Sequence, residues 1–237
     1  MTMHDLTIKI YADGAELAGI TEMAKNPIIK GFTTNPTLMR KAGISDYKQF
    51  ALDVIKAVPD RPISFEVFSD DFDEMYTQAM EIGSWGSNVN IKVPVTNTRN
   101  EFSGELIKKL SAQGLFLNVT ALMTLDQVKK VMDCLQGDAP AYISVFAGRI
   151  ADTGRDPMPV MKQAAEISFT RPHTEIIWAS PRELFNVFQA NEAGVQIITV
   201  ANDLLNKLSL VGKDLDEYSL ETVKMFRNDA VKAGFNI

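Results

Sequence analysis

Lys92 stands in Asn88-Val89-Asn90-Ile91-Lys92-Val93-Pro94-Val95-Thr96, where the two-residue period of a strand puts Val89, Ile91 and Val93 on one face and Asn90 and Lys92 on the other. In a parallel sheet covered by helices both faces are buried, so this lysine would project into the protein interior. An amine held out of water favours its neutral form, and a neutral amine attacks a ketone to form a Schiff base. The protonated imine takes up the electron pair released when the adjacent carbon–carbon bond breaks, so the protein supplies its own electron sink. Such a reaction needs a carboxyl group at the cleaving hydroxyl and another for the water lost and regained in forming the imine. Asp13 and Glu66, each near the end of an alternating apolar run, are the available carboxylates. The same two residues equally fit an ion pair that merely neutralises Lys92, and a lysine on an edge strand would reach water through its flexible stem. Arg149 and Arg182 follow two further apolar runs, where guanidinium forks hold a phosphate or simply carry solvated loop charge.

Bringing these groups together requires a repeating scaffold, and the hydrophobic periodicity supplies one. It predicts strands over residues 7–13, 28–34, 63–68, 88–96, 115–120, 141–146, 175–180 and 195–200. Helical patterns cover 14–25, 46–57, 70–85, 100–112, 124–135, 158–169, 201–208 and 215–233. Thr124 is the expected N-cap of one helix, Ser180 with Pro181 at the first helical position reads as the start of another, and Gly148-Arg149 reads as a loop. Eight strands each followed by a helix predict an α/β fold, a single (β/α)8 TIM barrel over residues 1–237 with an additional C-terminal helix. Leu220, Val223, Met225, Phe226 and Phe235 are the expected apolar contacts of that last helix. The turn Asp13-Gly14-Ala15-Glu16 is not the G-x-G-x-x-G of a dinucleotide-binding sheet, so no nucleotide cofactor is expected. With the apolar parity facing the helices, Asp13, Asn35, Glu66, Lys92, Asn118, Thr120, Ser144 and Ser180 converge around the C-terminal rim, where barrel active sites lie.

The totals narrow the partners. A net charge of -6 argues against nucleic acid or an anionic membrane as partner, so any phosphate site is local. Neither a signal peptide nor an apolar run of membrane-spanning length is present, and the single cysteine, Cys134, suits a reducing compartment; the expected location is cytoplasmic. His4 and His173 lie far apart in sequence and no cluster has metal-ligand spacing, so no metal is expected.

Five segments then carry a resemblance: Thr33-Thr34-Asn35-Pro36, Ile91-Lys92-Val93-Pro94, Asn118-Val119-Thr120, Phe146-Ala147-Gly148-Arg149-Ile150 and Ala179-Ser180-Pro181-Arg182. In this order, on these strands, they resemble the transaldolase family of class I aldolase-type barrels, in its small transaldolase or fructose-6-phosphate aldolase-like branch. The resemblance implies Lys92 as Schiff-base nucleophile, Asp13 as acid and base for bond cleavage, and Glu66 with Thr120 as handlers of the catalytic water. It makes Asn35, Asn118 and Ser144 sugar ligands, joined in the substrate-binding set by Thr33 and Ser180, with Phe146 a pocket wall and Arg149 with Arg182 the phosphate site. It implies transfer of a three-carbon dihydroxyacetone unit from sedoheptulose 7-phosphate or fructose 6-phosphate to an aldose phosphate within pentose phosphate metabolism, without a cofactor, by a homo-oligomer. A fructose-6-phosphate aldolase-like lyase releasing dihydroxyacetone, or a silent sugar-phosphate-binding barrel, are the alternatives. Relatives that act as free aldolases tend to carry Gln and Tyr where this chain has Glu66 and Phe146, which points to transfer. Gly14 departs from the family's usual residue after Asp13, which bears on the position of that carboxylate, and Ala121-Leu122-Met123 and Pro181 depart from the usual residues at the pocket wall.

Overall fold

The alternating pattern closes on itself. In a computed structural model describing residues 5–236, the order runs β1 (Lys9–Asp13), α1 (Leu17–Ala24), β2 (Ile29–Thr33), α2 (Pro36–Lys41), α3 (Tyr47–Ala57), β3 (Ile63–Glu66) and α4 (Phe72–Gly83). It continues through β4 (Val89–Pro94), α5 (Gly104–Ala112), β5 (Leu117–Leu122), α6 (Leu125–Cys134), β6 (Ala141–Val145), α7 (Ala147–Asp152) and α8 (Met158–Ser168). β7 (Thr174–Trp178), α9 (Phe185–Glu192), β8 (Ile197–Ala201), α10 (Asn202–Leu205) and α11 (Leu215–Lys232) complete it. All neighbouring strands are parallel, and β8 pairs with β1, placing Tyr11 beside Thr199 and Asp13 beside Ala201. This is a (β/α)8 barrel.

Strand parity divides the core in two. Ile63, Phe65, Ile91, Val93, Val119 and Ile143 face outward and pack with helix residues such as Val54, Ile82, Ile107 and Val131. Each such buried aliphatic or aromatic side chain contributes roughly 1.5–3 kcal/mol, which fixes the register because a one-residue slip would turn all of them inward. The inner parity carries a smaller apolar cluster of Tyr11, Tyr142, Ile177, Ala179 and Ile197, with Phe116 and Phe146 against it. The Tyr11 and Tyr142 hydroxyls meet at 2.6 Å, and burial pushes the Tyr142 phenol up to about 12. Gly31 makes room for this plug, since a Cβ there would sit 2.5 Å from the Tyr11 ring.

Helix starts follow local chemistry. Asp46 accepts from the Gln49 N–H, Asp71 from those of Asp73 and Glu74, and Thr124 forms a reciprocal capping box with Gln127. Other expectations need correction. No helix was expected between residues 34 and 46, yet Asn35, itself in extended conformation, opens α2: its side chain accepts from the Leu38 N–H and proline is tolerated at the first helical position. Gly148 and Arg149 lie in α7, not in a loop. Ser180 does not cap a helix: its φ of 61° is left-handed, and α9 begins only at Phe185. β3 stops at Glu66, so Phe68, expected on that strand, is 65% exposed. In α11, Leu220, Val223, Met225 and Phe226 are exposed within the single chain, none of them buried in the core, and Phe235 beyond it is exposed too. His4 and Ile237 fall outside the described residues.

Candidate active site

β4 delivers Lys92 to the C-terminal mouth of the barrel, where it is only 6% exposed. Its Nζ donates to the Thr34 carbonyl oxygen at 2.8 Å and lies 3.0 Å from Glu66 Oε2. The pairing of β3 with β4 sets Glu66 directly beside Lys92. Tyr47, at the start of α3, fixes the end of β3: its hydroxyl donates to the Glu66 carbonyl oxygen at 2.7 Å and accepts from the Glu66 N–H at 2.8 Å. A side chain there replaces the next rung of the strand ladder.

Asp13 ends β1 on the other side of the mouth. Its Oδ1 accepts from the Thr33 hydroxyl at 2.7 Å, and the Asn35 amide reaches Oδ2 at the outer limit of 3.5 Å. Burial holds the Asp13 carboxyl above the ordinary carboxylate range and Glu66 adds to this, against the opposing pull of Lys92 and the hydrogen bonds. A buried carboxyl that readily keeps a proton beside a buried amine is the pairing that acid–base work at a carbonyl requires.

Around these groups opens a cavity of about 590 Å³. Asp13, Thr33, Asn35, Glu66, Lys92, Thr120, Ser144, Phe146, Arg149, Ser180 and Arg182 all line it. The Thr120 hydroxyl is buried without a hydrogen-bond partner, an unspent polar group facing the mouth. Asn118 lies one layer lower. Its Oδ1 accepts from Ser144 Oγ at 2.7 Å and its Nδ2 donates to Ser64 Oγ at 2.9 Å, while Ser64 donates to Asn90 Oδ1 at 2.8 Å. This buried polar row runs across β3 to β6 under the cavity floor, and both polar ends of Asn118 are engaged in it.

The cationic side of the cavity is built from α7 and the turn after β7. Gly148 is required there because a Cβ would fall 1.6 Å from the Ser180 carbonyl oxygen. The Arg182 Nε donates to Asp152 Oδ1 at 2.8 Å, its Nη2 pairs with the other carboxylate oxygen, and its Nη1 donates to Ser180 Oγ at 2.9 Å. This bonding holds the Asp152 carboxyl below its ordinary range. The expected helix N-terminus beside Arg182 is missing, and the Arg182 and Glu183 N–H groups instead donate to Asn186 Oδ1. Arg149 is exposed, with its guanidinium 5.9 Å from the Phe146 ring centre. Ala121, φ 67°, also lines the cavity, so two non-glycine residues in the left-handed region sit at the rim, where such backbone strain concentrates at functional sites.

Five contributors were given no role in the site by the sequence, Tyr47 among them. Ser64 and Asn90 carried the signal, as polar residues on the inner parity of their strands. Thr199 carried it too, a lone hydroxyl in the apolar run Ile197-Ile198-Thr199-Val200. Asp152 carried none, since its partner Arg182 lies thirty positions away, with α8 and β7 between them.

Residues 10–237 match the family described as Transaldolase/Fructose-6-phosphate aldolase. The chain belongs to that family. Among its relatives, a probable transaldolase of Dehalococcoides mccartyi is 34% identical over 85% of this chain and 90% of its own length. One from Thermoanaerobacter is 33% identical over 97% of this chain and 100% of its own length, and one from Streptococcus agalactiae 32% identical over 91% and 95%. Two solved structures of low sequence identity share the barrel: a dihydrodipicolinate synthase from Rhodopseudomonas palustris superposes with a TM-score of 0.58 at 14% identity, covering 97% of this chain and 81% of its own. A putative phosphonomutase from Burkholderia cenocepacia gives 0.57 at 10% identity, covering 96% and 93%. Among the described residues, no group of three or more His, Cys, Asp or Glu is placed to hold a metal, and no helix is long and apolar enough to cross a membrane.

Proposed function

We propose that this aldolase-family enzyme is a transaldolase that works through a Schiff base on Lys92, moving a dihydroxyacetone unit from sedoheptulose 7-phosphate or fructose 6-phosphate to an aldose phosphate. The observation that carries this reading is the buried Lys92 amine, 3.0 Å from the Glu66 carboxylate in a cavity that also holds Asp13. Lys92 passes a proton to Glu66 and attacks the ketone carbon; Glu66, with the Thr120 hydroxyl, returns protons to the departing water. Asp13 takes the proton of the hydroxyl on the carbon being lost, that carbon–carbon bond breaks, and its electron pair flows into the iminium to give an enamine. The aldose phosphate leaves. The enamine carbon then attacks the aldehyde of the incoming aldose phosphate, Asp13 returns its proton to the new alkoxide, and water releases Lys92. Thr33, Asn35, Asn118, Ser144 and Ser180 serve the sugar hydroxyls, directly or through the polar row, with Phe146 as wall and Arg149 and Arg182 as phosphate ligands. The setting is a reducing cytoplasm, and the functional unit is a homo-oligomer.

The lyase reading differs in the fate of the enamine. Phe146 carries no hydroxyl to help protonate it, so it persists until an acceptor arrives. Borohydride added with sedoheptulose 7-phosphate is expected to fix a three-carbon mass on the peptide containing Lys92, and transfer to outrun dihydroxyacetone release. Labelling of a different lysine would sink the Schiff-base assignment, and release as fast as transfer would favour the lyase. Glu66→Gln with Phe146→Tyr is expected to narrow the gap between the two rates.

A further inference from the structure

Thr199, on β8, is 7% exposed and lines the same cavity as Lys92 and Asp13. Its hydroxyl oxygen stands 2.5 Å from that of Thr33, which itself stands 2.7 Å from Asp13 Oδ1. A hydroxyl has one proton. When Asp13 is a carboxylate it can only accept, so the Thr33 proton points at Asp13 and the proton between the two threonines must come from Thr199. The three side chains then form a directed chain, Thr199 to Thr33 to Asp13, reaching across β8, β2 and β1. When Asp13 holds the proton it can donate to Thr33, and both hydroxyls can turn round, leaving Thr199 donating into the cavity.

We propose that Thr199 is a positioning residue for the acid–base group of this reaction, holding the Thr33 hydroxyl in its donating orientation and strengthening its bond to Asp13 by polarising it. This rests on the reading of Asp13 as the acid and base. Hydrogen bonds in a chain reinforce one another, so removing the first donor weakens the last bond and disfavours the charged carboxylate. The other charged groups around Asp13 are Glu66 from β3, Lys92 from β4, and Arg149 and Arg182 at the rim, and a change at Thr199 alters none of them. Burial already holds the Asp13 carboxyl high, so loss of the chain adds to an existing upward displacement.

The test compares Thr199→Ala with Thr199→Ser, which lose the same methyl group and differ by the hydroxyl alone. With sedoheptulose 7-phosphate and glyceraldehyde 3-phosphate, the acidic limb of kcat/KM is expected to move to higher pH in the alanine variant by roughly 0.3–0.7 pH unit. The serine variant should keep the wild-type limb. Equal limbs in both variants would overturn the proposal, because a merely structural threonine changes rate and stability without moving a titration. Asp13→Asn separates the two ideas: if it keeps the wild-type acidic limb, the Asp13 reading itself fails, whereas a limb abolished by Asp13→Asn and unmoved by Thr199→Ala condemns only the role of Thr199.

Discussion

A carboxyl group held out of water carries its function at a cost to the fold. Asp13 has its pKa raised in the folded state chiefly by desolvation, so the folded protein binds that proton more tightly than the unfolded chain. The resulting stability is fully present below the unfolded carboxyl range and is lost as pH rises through the folded value. Asp13→Asn is therefore expected to raise the melting temperature at pH 7, with the gain shrinking on acidification, while transfer falls by roughly 10²–10⁴-fold. A variant less stable than wild type at neutral pH would show that the carboxylate is stabilised overall by Lys92 and Thr33. Arg182 gives a second test. Loss of a charged hydrogen bond is worth roughly 1.5–3 kcal/mol, so Arg182→Ala should lower kcat/KM by about one to two decades for phosphorylated substrates and leave free sugars nearly unaffected. An equal loss with both would mean that the pair with Asp152 serves the fold alone. The placement of these groups was legible from residue type and parity: Lys92, Glu66 and Asp13 needed only the two-residue period to be set on one rim. Asp152 was not, because pairing across thirty positions leaves no local pattern.

At the scale of elements, the corner between α7 and the turn after β7 decides where the cations stand. Strands were legible because outward valines and isoleucines alternate with inward polar groups, and that alternation is imposed by burial on both faces of a closed sheet. The corner was misread because Ser180-Pro181 satisfies the sequence rule for a helix start, while close packing against Gly148 holds Ser180 in a left-handed conformation and Asn186 takes the N–H groups a cap would have served. Tertiary contact overrode a local preference. Gly148→Ala would drive a methyl into the Ser180 carbonyl, and backbone cannot yield as a flexible side chain does. The expected outcome is a stability loss of roughly 1–3 kcal/mol in urea titration, with KM for sugar phosphates raised more than kcat is lowered. An unchanged KM would show that the corner moves without disturbing Arg149 and Arg182.

Among the described residues, α11 is a helix of the fold that buries none of its side chains. On α11, Leu220, Val223 and Phe226 are 53%, 59% and 63% exposed, and Leu215 is 78% exposed. At 100° per residue these four fall within an arc of about 140°, which is the stripe of a helix that packs against something. An apolar stripe left in water favours association over solvation. The segment just before it borders a mainly apolar groove of about 450 Å³, lined by Leu184, Phe185, Phe188 and Val211 among others. One chain thus displays both an exposed apolar helix face and a hollow able to receive side chains, and a second copy would cover both at once. Burying each large side chain would contribute roughly 1.5–3 kcal/mol, so a few per copy suffice to hold an assembly at micromolar concentration. Light scattering of the full chain is expected to give a multiple of the single-chain mass. Leu220→Glu with Phe226→Glu should reduce that mass, while borohydride still labels Lys92, because every cavity-lining residue lies outside α11. A wild-type monomer at micromolar concentration would refute the assembly and leave the stripe to another partner; a charged double variant of undiminished mass would place the interface elsewhere on the barrel.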